Sequence, residues 1–119
     1  MSGFELSTVQ SGIGYLGSAF AYEPALTIPG ASTALTSTIY APATVAGAAP
    51  TQGARVAVIS VETAALRYRI DGVAAPTASE GHECLPGDQI IISGSTNIAN
   101  FRAIRETATS ATIRATYYR

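Results

Sequence analysis

Charge is what this sequence has least of. Only 13% of its 119 residues are Asp, Glu, Lys or Arg, against roughly 25% in an ordinary soluble domain. A monomer ordinarily carries more, to keep its surface solvated and apart from copies of itself. Sparse charge among abundant Ala, Gly, Ser and Thr points to a chain much of whose surface is covered by other protein. Lysine is missing altogether, and all seven basic residues are Arg. Arg stays charged when desolvated and its planar fork matches carboxylates, which suits interfaces. Compositional drift in a GC-rich genome would give the same bias. A net charge of −1 argues against nucleic acid as the main partner, because such binders carry a basic face.

Other absences narrow the class further. One Cys permits no internal disulfide, so stability has to come from packing. The start, Met1-Ser2-Gly3-Phe4-Glu5, lacks the basic and then apolar regions of a signal peptide. No apolar run approaches the ~20 residues that a membrane helix needs. The expectation is a protein made in the cytoplasm, with no membrane partner. Trp is absent, and three Phe and six Tyr supply all the large rings. A chain of this length fits one domain that buries roughly two thirds of its unfolded surface.

What is present is strand pattern, concentrated after Arg55. Val56 to Val61 is an apolar run broken only by Ser60 and rich in β-branched residues, the mark of a buried strand. From Ala64 to Asp71 the chain alternates: Leu66, Tyr68 and Ile70 are apolar, while Arg67, Arg69 and Asp71 between them are charged. That is the period of a half-buried strand, and with the Val56 run it predicts a hairpin broken at Glu62-Thr63. Asp71-Gly72 supplies a turn, because Gly takes positive φ without a clash. In the loop that follows, Thr77-x-x-Glu80 has the spacing of a capping box and predicts one helical turn. Further strands are predicted at Gln89–Ser93, Ile98–Arg105 and Ala111–Tyr118. In the fourth, Phe101 and Ala103 share one face and Ile98 and Ile104 the other, a conflict that a bulge would resolve. Five strands at ten-residue spacing predict an all-β domain, an antiparallel β-sandwich or small barrel, over residues 55–119.

Residues 1–54 read differently. They hold no basic residue, two acids (Glu5 and Glu23) and a dense mixture of Gly, Ser, Thr, Ala and Pro. Thr33 to Tyr40 is a candidate strand, and residues 41–53 read as a linker. Aromatic residues recur too regularly for a pure linker. Two readings fit: an extended N-terminal arm that lies across a neighbouring subunit, or short strands packed within the same domain. Phe4, Tyr15, Phe20 and Tyr22 are the candidate anchors, since aromatic side chains dominate contact energetics.

Reactive groups are few. His82-Glu83-Cys84 sets an imidazole and a thiol two residues apart, but structural zinc takes four protein ligands and the chain has no other His or Cys. A zinc shared on a symmetry axis would need His82 from every subunit. Cys84 with His82 also lacks a third, orienting group for nucleophilic catalysis. Glu80, Glu83 and Asp88 cluster on a Gly/Pro loop with no recognisable calcium spacing. We therefore expect no enzyme, no cofactor and no metal. Arg67 and Arg69 are the candidate polar partner contacts. The alternative for these and for Arg102, Arg105 and Arg114 is cross-strand pairing with Asp71, Glu62 or Glu106.

Four stretches carry a family resemblance: Tyr68-Arg69-Ile70-Asp71-Gly72 with Pro76-Thr77-Ala78-Ser79 and Gly81-His82; Pro86-Gly87-Asp88 leading into Ile90-Ile91-Ile92; Ile98-Ala99-Asn100-Phe101 with Ile104-Arg105; and the closing Tyr117-Tyr118. From about Ala57 to Tyr118 the chain resembles small virion proteins of tailed bacteriophages, most of all head decoration (cement) proteins. The resemblance implies a homo-oligomer, trimer or dimer, on the outer capsid surface, binding the major capsid protein and bridging capsid subunits, with the N-terminal segment as a clamping arm. A tail or fibre-associated module that binds another tail protein or a host glycan is the alternative. For glycan binding, Tyr117-Tyr118 is the one close aromatic pair.

Overall fold

The last strand shows how the molecule is built. In Ala111–Tyr118 every second residue, Ala111, Ile113, Ala115 and Tyr117, is buried, and those between are half exposed. This strand, β7, lies inside a four-stranded antiparallel sheet of order β1-β7-β2-β5, with β1 at Ala19–Ile28, β2 at Val56–Glu62 and β5 at Gln89–Ser93. A second sheet of order β4-β3-β6 joins His82–Cys84, Leu66–Arg69 and Arg102–Arg105. The computed structural model describes residues 17–42 and 53–119. One apolar cluster draws on both sheets: Ile28, Ile59, Ile92, Ile113 and Tyr117 from the larger, Leu66, Cys84 and Ala103 from the smaller. The fold is an all-β sandwich.

Several local expectations change. β2 and β3 do not form a hairpin, because they belong to different sheets. Between them the chain makes a three-residue turn at Thr63, where Ala64 N donates to Glu62 O at 2.8 Å and Thr63 sits at φ +76°. Positive φ in a β-branched residue is strained, and the turn redirects the chain from one layer to the other. β2 is not buried on both faces either. Its residues alternate, with Ala57, Ile59 and Val61 inward and Val56, Val58 and Ser60 outward. The expected strand from Ile98 begins instead as helix α2, Ser95–Asn100. Ile98 N donates to Gly94 O at 3.1 Å, and the helical period then brings Ile98 and Phe101 into the core together. That removes the face conflict without a bulge. Thr77 and Glu80 form a bridged tight turn in place of a helical one.

Before the 43–52 segment, Thr33 bridges to Ala103, and the turn of helix α1 (Ser37–Tyr40) replaces the candidate strand. Residues 19–28 follow the second of the two readings of the N-terminal segment: they form β1 and pair with β7 from Ala19–Tyr118 to Ile28–Ala111. Pro24 is tolerated because β1 is an edge strand whose ladder is interrupted between Glu23 and Leu26. At Gly72, φ is +72° and a Cβ would stand 2.7 Å from the Asn100 side-chain amide, so the Asp71-Gly72 turn needs glycine.

One buried polar cluster fixes β1. Glu23 is 2% exposed. Its Oε1 accepts from the Tyr117 hydroxyl at 2.8 Å and from Thr36 N at 3.1 Å, and its Oε2 accepts from Thr36 Oγ1 at 2.6 Å. The ring of Tyr40 lies 5.8 Å from that of Tyr117. One carboxylate thus ties β1, β7 and the entry to α1, where an uncompensated buried charge would be costly. Tyr117→Phe is expected to lower stability by about 1.5–3 kcal/mol, the range for a hydrogen bond to a charged group, measured by chemical denaturation. Thr63→Gly, by contrast, is expected to leave stability unchanged or raise it by up to about 1 kcal/mol through relief of strain. A large loss there would mean that the Thr63 side chain, not its backbone turn, holds the crossing.

Candidate functional site

The six candidate contact residues have separate fates. Phe4 and Tyr15 lie outside the described residues. Phe20 packs against the core, and the Arg119 guanidinium sits 4.1 Å from its ring centroid. Arg67 donates to the backbone oxygens of Ala78 at 3.2 Å and Gly81 at 2.9 Å, and its Nη2 lies 3.6 Å from Glu106. Its role is to clip the 76–81 loop onto β3. Arg69 is paired with Asp71. The other strand arginines also find partners within the chain: Arg102 on Ala99 O and Phe101 O, Arg105 on Ser110, and Arg114 on Glu62. Tyr22 is different, being 54% exposed.

Tyr22 opens onto the outer face of the larger sheet. It lies opposite Thr116 on β7, which lies opposite Val58 on β2, which lies opposite Ile91 on β5. Four strands thus present one continuous row, Tyr22-Thr116-Val58-Ile91, with Ile91 39% exposed. The row on one side of it holds Tyr118, Val56 and Ser93, and that on the other holds Arg114, Ser60 and Gln89. The charge in these rows and the next is the ion pair between Arg114 and Glu62. Tyr22, Val58, Ser60, Gln89, Arg114 and Thr116 border a shallow depression of ≈ 190 Å³. Exposed β-branched and aromatic residues on a sheet face that carries no net charge are costly to leave in water and suited to burial under a partner.

Glu23 sets the phase that makes this possible. Because strand side chains alternate, holding Glu23 inward turns Tyr22 outward. Sequence reasoning reached Tyr22 as an arm anchor, missed Val58 by reading β2 as buried on both faces, and missed Ile91. The alternation of Thr112, Arg114, Thr116 and Tyr118 in the last strand was the legible trace of this face.

The polar loop offers a second place. Arg69, Ile70, Asp71, Glu80, Gly81 and His82 line a cleft of ≈ 350 Å³. Its strongest charges cancel: the hydrogen bond from Arg69 holds the Asp71 carboxyl below its ordinary range. The His82 ring rests on Tyr68 at 5.3 Å, and Tyr68 stacks on Phe101 at 5.6 Å. Among the described residues no three His, Cys, Asp or Glu side chains are placed to hold a metal ion. The tyrosine pair does not make a stacking platform, because Tyr117 is fully buried.

Cys84 is buried opposite Leu66. Burial first, then Asp88 and Glu83, push its thiol up to about 11. The protonated thiol is a small hydrophobe, unreactive at neutral pH. Native protein is expected to resist alkylation by iodoacetamide at pH 7.5 and to react once unfolded. Raised thiol and phenol values in the folded state also set a sign. The unfolded chain loses these protons from about pH 8.5 for Cys and about 10 for Tyr, while folded Cys84 and Tyr117 keep theirs. Stability is therefore fully present below pH ~8.5 and falls as pH rises towards ~11. Denaturation midpoints measured across that window, with Cys84→Ala and Tyr117→Phe flattening the slope, check this.

Searches of known proteins return no family model, no curated protein and no solved structure that matches the chain.

Proposed function

We propose that this protein is a structural component of a tailed-bacteriophage virion, a decoration (cement) protein that binds the major capsid protein on the outer head surface. The carrying observation is the Tyr22-Thr116-Val58-Ile91 row, a weakly charged face in a chain that is itself poor in charge. Such a face binds by burying area, which is the mechanical task of a cement protein. Standard specific interfaces cover roughly 800 Å² per partner, and repetition over a shell multiplies a modest contact. The sequence resemblance of residues 57–118 supports the station on the head. Phe4 and Tyr15 are proposed as further contacts on the capsid, and Phe20 and Tyr22 lie on β1. A tail or fibre module would use the same face against a tail protein, but burial of Tyr117 takes away the aromatic pair on which glycan binding was to rest.

The test is co-sedimentation with purified, undecorated heads. Tyr22→Asp and Val58→Asp each place a charge at the centre of the row and are expected to weaken binding by about 30-fold or more, the scale of a central interface residue. Their folding is checked by circular dichroism and thermal melting. Heads that bind both folded variants as well as wild type would remove this face from the interface. Wild-type protein that ignores heads and instead binds tails or host polysaccharide would remove the decoration reading.

A further inference from the structure

The larger sheet ends at β1 on one side and β5 on the other, and the two edges are built differently. The β1 edge carries Pro24 and two ladder irregularities, the usual devices against strand addition. β5 has none of them. Gln89-Ile90-Ile91-Ile92-Ser93 contains no charge, no Pro and no Gly. Its backbone phase is set by its partner strand. Gly94 N donates to Arg55 O at 2.7 Å, and Asp88 O accepts from Val61 N at 3.0 Å. Antiparallel alternation then directs residues 90 and 92 towards β2, and the N–H and C=O groups of Gln89, Ile91 and Ser93 outward. Among the described residues no strand pairs with that edge.

We propose that β5 pairs with β5 of a second copy, antiparallel about a two-fold axis at Ile91, joining two four-stranded sheets into one. An isologous contact has to be self-complementary, and this strand is. Centred on Ile91, the register sets Ile91 opposite Ile91, Ile90 opposite Ile92 and Gln89 opposite Ser93. It is also the register in which the outward backbone groups meet, since Ile91 with Ile91 and Gln89 with Ser93 each exchange two hydrogen bonds.

Charges at the strand ends agree with this register. Asp88 of one copy falls opposite Gly94 of the other, and on the far side of Gly94 lies Arg55, one step beyond the Val56–Ser93 pair. Arg55 is exposed, and its guanidinium has no ion-pair partner among the described residues. Asp88 uses one carboxylate oxygen on Leu85 N at 2.8 Å, leaving the other. Two strand spacings, about 10 Å between Cα atoms, are within the combined reach of an Arg and an Asp side chain across a residue that has none. The symmetry makes this pair twice. The outer row also becomes continuous, from Tyr22 of one copy through both Ile91 side chains to Tyr22 of the other, doubling the face assigned above to a partner. Pairing of the β5 edges does not depend on what that partner is.

A five-residue edge lies at the small end of specific interfaces, so the dimer forms at a Kd on the order of micromolar or above. Sedimentation velocity of the full chain from about 1 µM to about 1 mM is expected to show monomer giving way to dimer. Ile91→Lys brings two ammonium groups together on the axis and is expected to weaken association at least tenfold while leaving the melting curve of the monomer in place. Mixing Ile91→Lys with Ile91→Glu is expected to recover a heterodimer. Arg55→Glu weakens the wild-type dimer several-fold. Hydrogen exchange at the amides of Gln89, Ile91 and Ser93 is expected to slow as concentration rises. A wild-type chain that stays monomeric throughout overturns the proposal, as does a dimer that Ile91→Lys leaves unchanged. Amide protection independent of concentration also overturns it, since the edge would then be covered within one chain.

Discussion

A single buried carboxylate organises the larger sheet. Glu23 enters β1 between Phe20 and Leu26, which pack on the core, and it receives hydrogen bonds from β7 and from the turn before α1. The cost of burying that charge is offset only when all its donors are in place. β1 therefore has one register and one phase in which Glu23 is satisfied. Tyr22 faces outward as a consequence, and the four-strand row that begins with it exists because of that constraint.

The same economy of charge runs through the rest of the molecule. Arg67, Arg69, Arg102, Arg105 and Arg114 are spent on loop carbonyls, a serine and neighbouring carboxylates. What remains on the outer sheet face is, apart from Gln89, small, β-branched or aromatic, with its one ion pair internally neutralised. A surface of that kind does not recognise charge. It favours a partner that offers area and shape, as the capsid contact and the pairing of copies at the β5 edge proposed above both would.

The strand pattern was legible because two-residue alternation is a local property. Leu66 to Arg69, Gln89 to Ser93 and Ala111 to Tyr118 are strands, as their apolar spacing required. Ile98 misled because a short apolar stretch fits either period, and the hydrogen bond from Ile98 N to Gly94 O, with both Ile98 and Phe101 drawn inward, decided for a helix. Val56 to Val61 misled in another way. A run this apolar ordinarily means burial on both faces, but here the face that holds Ser60 is held out, and Val56 and Val58 on it belong to the candidate partner surface.

By itself the sequence determined the class of fold, the lack of a second Cys for an internal disulfide, and the turn at Asp71-Gly72, since these depend on residue type and on spacing over a few positions. Tertiary structure decided which strands share a sheet. The Thr63 turn sends β2 and β3 to different layers although they are neighbours in sequence. It also decided that Glu23 meets Tyr117 from ninety-four residues away, and that Tyr22, Thr116, Val58 and Ile91 line up across four strands. Such pairings rest on register between distant segments, and register is set by which side chains can be buried together, a quantity no short stretch of sequence contains.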